Sequence, residues 1–134
     1  MNLSFNAETG DFEGIATYND KQYSMTLVDF EAEHMQKATD LATQINNWLN
    51  EGLESVKQFT ATSLIKLKNE SWLDEDQPLV SEDVFINTIE LDGVLVFSDG
   101  SFEVYFDDND LFWGHTIKVD IDQSFEIEGA NLWG

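Results

Sequence analysis

Apolar side chains change period twice along this chain, and that change sets its fold class. Tyr23, Met25 and Leu27 alternate with Ser24 and Thr26, the two-residue repeat of a half-buried strand. Then Met35, Ala38, Leu41, Ala42, Ile45, Trp48 and Leu49 recur at three- and four-residue steps, as on one face of an amphipathic helix. Leu53, Val56, Phe59, Thr60, Leu64 and Leu67 keep that step. From His115 the two-residue repeat returns, through Ile117, Val119 and Ile121. Strands, then helices, then strands predict an α+β domain: an antiparallel sheet with helices packed on one face.

The punctuation refines this reading. Strands are expected over Asn2–Asn6, Asp11–Tyr18 and Gln22–Val28, separated by Glu8-Thr9-Gly10 and Asn19-Asp20. A first helix is expected over 31–50, with Asp29 as N-cap and Glu31 and Glu33 in the first turn, where the helix dipole favours acids. Asn50-Glu51-Gly52 is read as its end, and 53–68 as a second helix, making an antiparallel or bent pair. After the loop Asn69–Pro78, Ser81 caps a short helix reaching about Thr88. Leu91–Phe97 and Phe102–Phe106 flank Ser98-Asp99-Gly100-Ser101, a hairpin signal. Asp107–Gly114 connects to the strand His115–Ile121, and Phe125–Glu128, extending toward Leu132, closes the sheet. The expectation is one domain, 1–134, with three N-terminal and about four C-terminal strands and two main helices.

At 42% apolar and 13% aromatic residues the chain can build a core, despite a net charge of −21. The acids are unevenly spread. Residues 1–68 carry ten acids and five lysines; residues 69–134 carry 17 acids and only Lys118. With no arginine and this balance, direct nucleic-acid binding and anionic membranes are disfavoured, and a basic protein is the expected partner. The lack of cysteine removes thiolate chemistry and favours a reducing compartment. The start MNLSFNAETGDF has no basic, apolar leader character, and no stretch nears the roughly 20 apolar residues of a membrane span. A cytoplasmic location is expected.

The densest constellation is Asp107 to His115, DDNDLFWGH, and Asp107, Asp108, Asp110, Trp113 and His115 are the candidate binding residues. Loops rich in carboxylates can hold hard cations, but the EF-hand template fails: counting from Asp107, its sixth and twelfth positions are Phe112 and Lys118. Counts from Asp74 and Asp120 fail too, with Leu79 and Phe125 in sixth place. His115 shares parity with Ile117 and Val119, which places it at the core or its rim, held by a carbonyl or carboxylate. His34 flanks the helix stripe. Two histidines without H-x-x-x-H spacing make a poor zinc set, and Walker, G-x-G-x-x-G and G-x-S-x-G motifs are missing. No cofactor, no tight metal site and no catalytic residue are expected. Trp72, Phe112, Trp113 and Trp133 lie in or beside loops, at core edges or as partner anchors.

The run from Ile65 to Asp76 (I-x-L-K-N-E-x-W-L-x-E-D), the turn Asp99-Gly100-Ser101-Phe102 and the segment from Asp108 to Ile117 (D-x-D-L-F-W-G-H-x-I) resemble a bacterial family, the domain of unknown function numbered 2262. Gly129-Ala130 and Gly134 match its small-residue ending. The resemblance covers roughly 65–134. Members commonly carry D-G-D where this chain has Asn109, and asparagine is a tolerated substitute if that position needs a positive φ. The resemblance implies a bacterial, cytoplasmic, single-domain protein and carries no catalytic residues with it. The leading expectation is a non-enzymatic interaction module, immunity-like or inhibitor-like, that meets a basic partner. The alternative is a cation-binding or hydrolytic enzyme centred on the Asp107–His115 loop.

Overall fold

The computed structural model describes residues 1–133, so Gly134 lies outside the described residues. Seven strands form one sheet in sequence order: β1 Leu3–Asn6, β2 Asp11–Tyr18, β3 Lys21–Leu27, β4 Glu90–Val96, β5 Phe102–Asp107, β6 Thr116–Ile121 and β7 Ile127–Trp133. Between β3 and β4 come a 3₁₀ turn, Ala32–His34, the helix α1, Met35–Ser71, and the short helix α2, Glu82–Thr88.

One strand pair corrects the all-antiparallel expectation. β3 and β4 are parallel, with Ser24 opposite Gly93 and Leu27 opposite Val96. The cause is the helical excursion between them. A two-residue turn must reverse the chain, whereas a long crossover returns it to its starting end, so the next strand enters in the same direction. The other five junctions are hairpins, and those pairs are antiparallel. At Tyr18–Lys21 the turn residues Asn19 and Asp20 both take positive φ, 43° and 60°, the twist a two-residue hairpin requires.

The expected helices 31–50 and 53–68 are a single helix of 37 residues. Its buried stripe runs without interruption through Ala38, Ala42, Ile45, Leu49, Leu53, Val56, Ala61 and Leu64. Continuous burial overrides the local stop signal. Gly52 keeps a helical backbone, a cost of about 1 kcal/mol against alanine, and Asn50 does not cap. Its side-chain amide donates instead to Thr17 O (3.1 Å) and Asn46 O (2.8 Å), tying the helix to β2. The start also differs. Asp29 sits at φ 65° and is no N-cap; Glu31 caps the 3₁₀ turn in a reciprocal box with His34. The third helix meets its expectation: Ser81 Oγ accepts from Val84 N at 3.2 Å.

Helices cover one face of the sheet. Phe12, Met25, Leu27, Val96, Phe102, Val104, Phe106, Ile117, Val119 and Ile121 point into a single core beneath them. Each such side chain contributes about 2 kcal/mol by leaving water. The buried Tyr23 donates its hydroxyl to Asn46 Oδ1 at 2.6 Å. The opposite face bears Glu13, Ser24, Thr26, Glu103, Lys118, Asp120 and Asn131, the alternate residues of the same strands. Among the described residues no helix is long and apolar enough to cross a membrane. Register aligns Glu90, Asp107, Thr116 and Trp133 across one end of the sheet, where the β5–β6 connection stands.

Candidate functional site

The β5–β6 connection is built around one carboxylate. Asp108 is 1% exposed. Its Oδ1 accepts from Asp110 N (3.1 Å), and its Oδ2 accepts from Phe112 N (2.8 Å), Gly114 N (3.2 Å) and His115 N (3.1 Å). A short chain that bends sharply strands its backbone N–H groups, and an ionised carboxylate at the centre satisfies several at once. Asp107 Oδ1 accepts from Asn109 N (2.8 Å), and Asn109 Nδ2 donates to Thr88 O (2.6 Å), fastening the loop to the end of α2. Asn109 takes φ 46°, in agreement with a position that tolerates glycine or asparagine. Asp110, Trp113 and Gly114 also take positive φ, at 70°, 58° and 89°.

The candidate residues therefore separate by environment. Asp107, Asp110 and Trp113 are exposed, Trp113 at 55%. His115 is half-buried, and its Nδ1 lies 2.6 Å from Phe112 O. Asp108 reaches no surface. A tryptophan in the left-handed region is strained, and the loop holds it there with about half of its surface in solvent.

Trp72, at the C-cap of α1, joins the loop to the helix. Its ring packs edgewise against Trp113 (centroids 4.7 Å apart), His115 (4.9 Å) and Phe112 (5.8 Å). Phe112 is fully buried and continues to Phe85 on α2. Trp72 is held from behind by Lys68, wholly buried, whose Nζ donates to Trp72 O and to Gln77 Oε1 (3.2 Å). Asn69 spans the following loop, giving its amide to Val80 O (3.0 Å) and accepting from Val80 N (2.8 Å). Lys68-Asn69 and Asp108–His115, distant in sequence, thus support one aromatic cluster.

Charge completes the site. Within 69–79 and 107–115 the exposed ionisable side chains are Glu70, Asp74, Glu75, Asp76, Asp107 and Asp110, all acidic. In sequence, 69–78 reads as a loop, and nothing local joins its acids to Asp107–His115. The shared appearance of both segments in the family resemblance was the available signal. Trp133 stands on the open sheet face, with Lys118 Nζ 4.6 Å from its ring centroid. That lysine bridges Glu103 (3.0 Å) and Asp120 (3.8 Å), and the hydrogen bond to Glu103 raises its pKa above the ordinary lysine value. Burial, with the Glu103 charge, likewise raises Tyr105.

A different cluster escaped the sequence reading. Glu31, Glu33 and His34 offer ligand atoms within 4.8 Å of one another at the start of α1, all exposed. It lies at the other end of a helix roughly 55 Å long from Trp72.

No curated protein and no solved structure matches the chain. Residues 1–132 match the family described as "Uncharacterized protein conserved in bacteria (DUF2262)", so the match extends through β1–β3 and α1 as well as the C-terminal half. The aromatic cluster and the strands that carry it thus fall within one family unit, and the chain belongs to the DUF2262 family.

Proposed function

We propose that this chain is a non-enzymatic interaction module that binds a basic protein, in the manner of an immunity or inhibitor protein, through the end of the fold built on Trp113. One observation carries the reading: an exposed tryptophan, held in a strained conformation and backed by Trp72, belongs with it to two segments, 69–79 and 107–115, whose exposed ionisable side chains are all acidic. Tryptophan is enriched among the residues that dominate binding energy, because one rigid ring fills a partner's pocket at small entropy cost. Surrounding acids speed encounter with a basic surface and reject acidic ones. A cytoplasmic, monomeric protein fits this role.

The cation-binding or hydrolytic reading has less to work with. Asp108 is occupied by four backbone N–H groups, and His115 Nδ1 is engaged with Phe112 O. That leaves Asp107 and Asp110 as surface carboxylates, with Nε2 of His115 as the one imidazole nitrogen of the loop not held by Phe112 O.

The test compares immobilised wild type, Trp113→Ala and the pair Asp107→Asn/Asp110→Asn in capture from bacterial lysate at low and high salt. A basic protein should be retained by wild type at low salt, lost with Trp113→Ala and weakened by the paired variant or by salt. A melting curve for Trp113→Ala excludes unfolding as the cause. Retention insensitive to both variants would sink the reading, and so would turnover or metal binding that requires Asp107 and Asp110.

A further inference from the structure

The sheet has two edges, and they are guarded differently. β1 is four residues long, the shortest strand, and Leu3 and Phe5 pack against the core. Short edge strands offer little template for pairing. β7 has seven residues; among the described residues β6 is its only strand neighbour, and α1 packs against it.

The protection that β7's own residues supply is confined to its beginning. Asp120 pairs with Gly129 and Ile121 with Ile127, so Glu128 is an extra residue, a bulge that also carries the strand's only charge. Bulges and charges both discourage edge pairing. Past that point Gly-Ala-Asn-Leu-Trp, 129–133, holds no charge and no proline, in the half of the molecule that carries 17 acids. Lys118 on the neighbouring strand is already engaged by Glu103 and Trp133.

The hydrogen-bond phase identifies the free groups. Asp122 N donates to Glu126 O, which makes Ile121–Ile127 a pair that does not bond directly. Counting on through the bulge, Asn131 and Trp133 turn their N–H and C=O toward β6, and Ala130 and Leu132 turn theirs outward. The side chains of Ala130 and Leu132 meanwhile contribute to the core side, and Asn131 and Trp133 stand exposed on the open face, Trp133 at 56%.

We propose that the edge of β7 from Gly129 to Trp133 accepts an added β-strand from a basic protein partner. Backbone bonds to Ala130 and Leu132 would supply pairing. Alternate apolar side chains of the incoming strand would extend the core beside those residues, and its lysines or arginines would face the open side beside Trp133. A second copy of this chain is the wrong occupant, since pairing would press together two molecules of net charge −21. That the occupant is basic rests on the interaction reading above; that the edge is open does not.

Hydrogen exchange read by mass spectrometry tests this with a synthetic peptide of alternating valine and lysine. It should slow exchange of the Ala130 and Leu132 amides at least about tenfold, the mark of newly protected backbone, and leave β1 unchanged. A valine–glutamate peptide and a lysine–glycine peptide should not. Asn131→Lys, which places a charge on the exposed face without touching the core, should remove the protection, while Trp113→Ala should retain it. Protection by the lysine–glycine peptide as well, or none by the valine–lysine peptide, overturns the proposal. So does concentration-dependent protection without peptide, accompanied by a dimer in light scattering. If native capture depends on Trp113 but the valine–lysine peptide protects nothing, the edge proposal falls and the interaction reading stands.

Discussion

Lys68 Nζ donates to the backbone carbonyl of Trp72, 2.5 Å away, so a buried ammonium closes the helix that presents the central ring of the aromatic cluster. The last carbonyls of a helix have no partner within it, and the negative end of the helix dipole favours a cation. Here the cation comes from the helix's own last turn and also holds Gln77 Oε1, whose side chain in turn accepts from Asp74 N at 2.9 Å. Replacing Lys68 by methionine keeps the apolar stem but leaves Trp72 O without its donor and Gln77 Oε1 with Asp74 N alone. Stability should fall by about 1–3 kcal/mol in urea unfolding, and near-ultraviolet dichroism should report a loosened Trp72. An unchanged dichroism spectrum would separate Lys68 from the cluster.

Gly52 tests the continuity of α1. A Cβ added there meets nothing within 4 Å, and the residue is not in the left-handed region. Gly52→Ala should therefore stabilise the protein by about 0.5–1 kcal/mol. If the chain turned at 50–52 instead, the substitution would be neutral or harmful in thermal denaturation.

Asp108 and Asp107 are neighbours with opposite expected effects. Asp108→Ala removes the acceptor of four backbone N–H groups and should cost about 3 kcal/mol or more, because buried donors lose a charged partner. Asp107→Ala, which loses only an exposed bond from Asn109 N, should cost about 1 kcal/mol or less. His115→Ala should cost about 1–3 kcal/mol through loss of the Phe112 O contact and the packing on Trp72. Equal melting temperatures for the two aspartate variants would contradict the loop's construction.

Alkaline pH should weaken the fold. The pKa values of Tyr23, Tyr105 and Lys118 are all raised: the tyrosines chiefly by burial, and Lys118 chiefly by its hydrogen bond to Glu103. The native state thus holds these protons more tightly than the unfolded chain. Their contribution is fully present below about pH 10 and is lost as pH rises past the ordinary values of 10.0 and 10.5. Urea midpoints should fall from pH 9 to pH 11, and Tyr23→Phe should flatten the fall. A midpoint that held or rose would refute the assignment.

Much of the architecture was legible in the chain. A two-residue repeat can bury one face only as a strand, and a three-to-four-residue repeat only as a helix. The period changes therefore located β3, the helical segment and β6, and Ser81 and Asp99-Gly100 marked a cap and a turn by local chemistry that needs no distant partner. Tertiary structure decided what depends on competition between segments. Asn50-Glu51-Gly52 stops a helix locally, but the core beneath Leu49 and Leu53 outweighs about 1 kcal/mol of glycine penalty. The parallel β3–β4 pair follows from where the crossover returns, which no local pattern encodes. At the candidate site, the carboxylates of Asp107, Asp108 and Asp110 look alike in sequence. Only the folded loop makes Asp108 a buried acceptor and leaves the others in water, because the number of backbone N–H groups converging on one oxygen is set by the path of the chain around it.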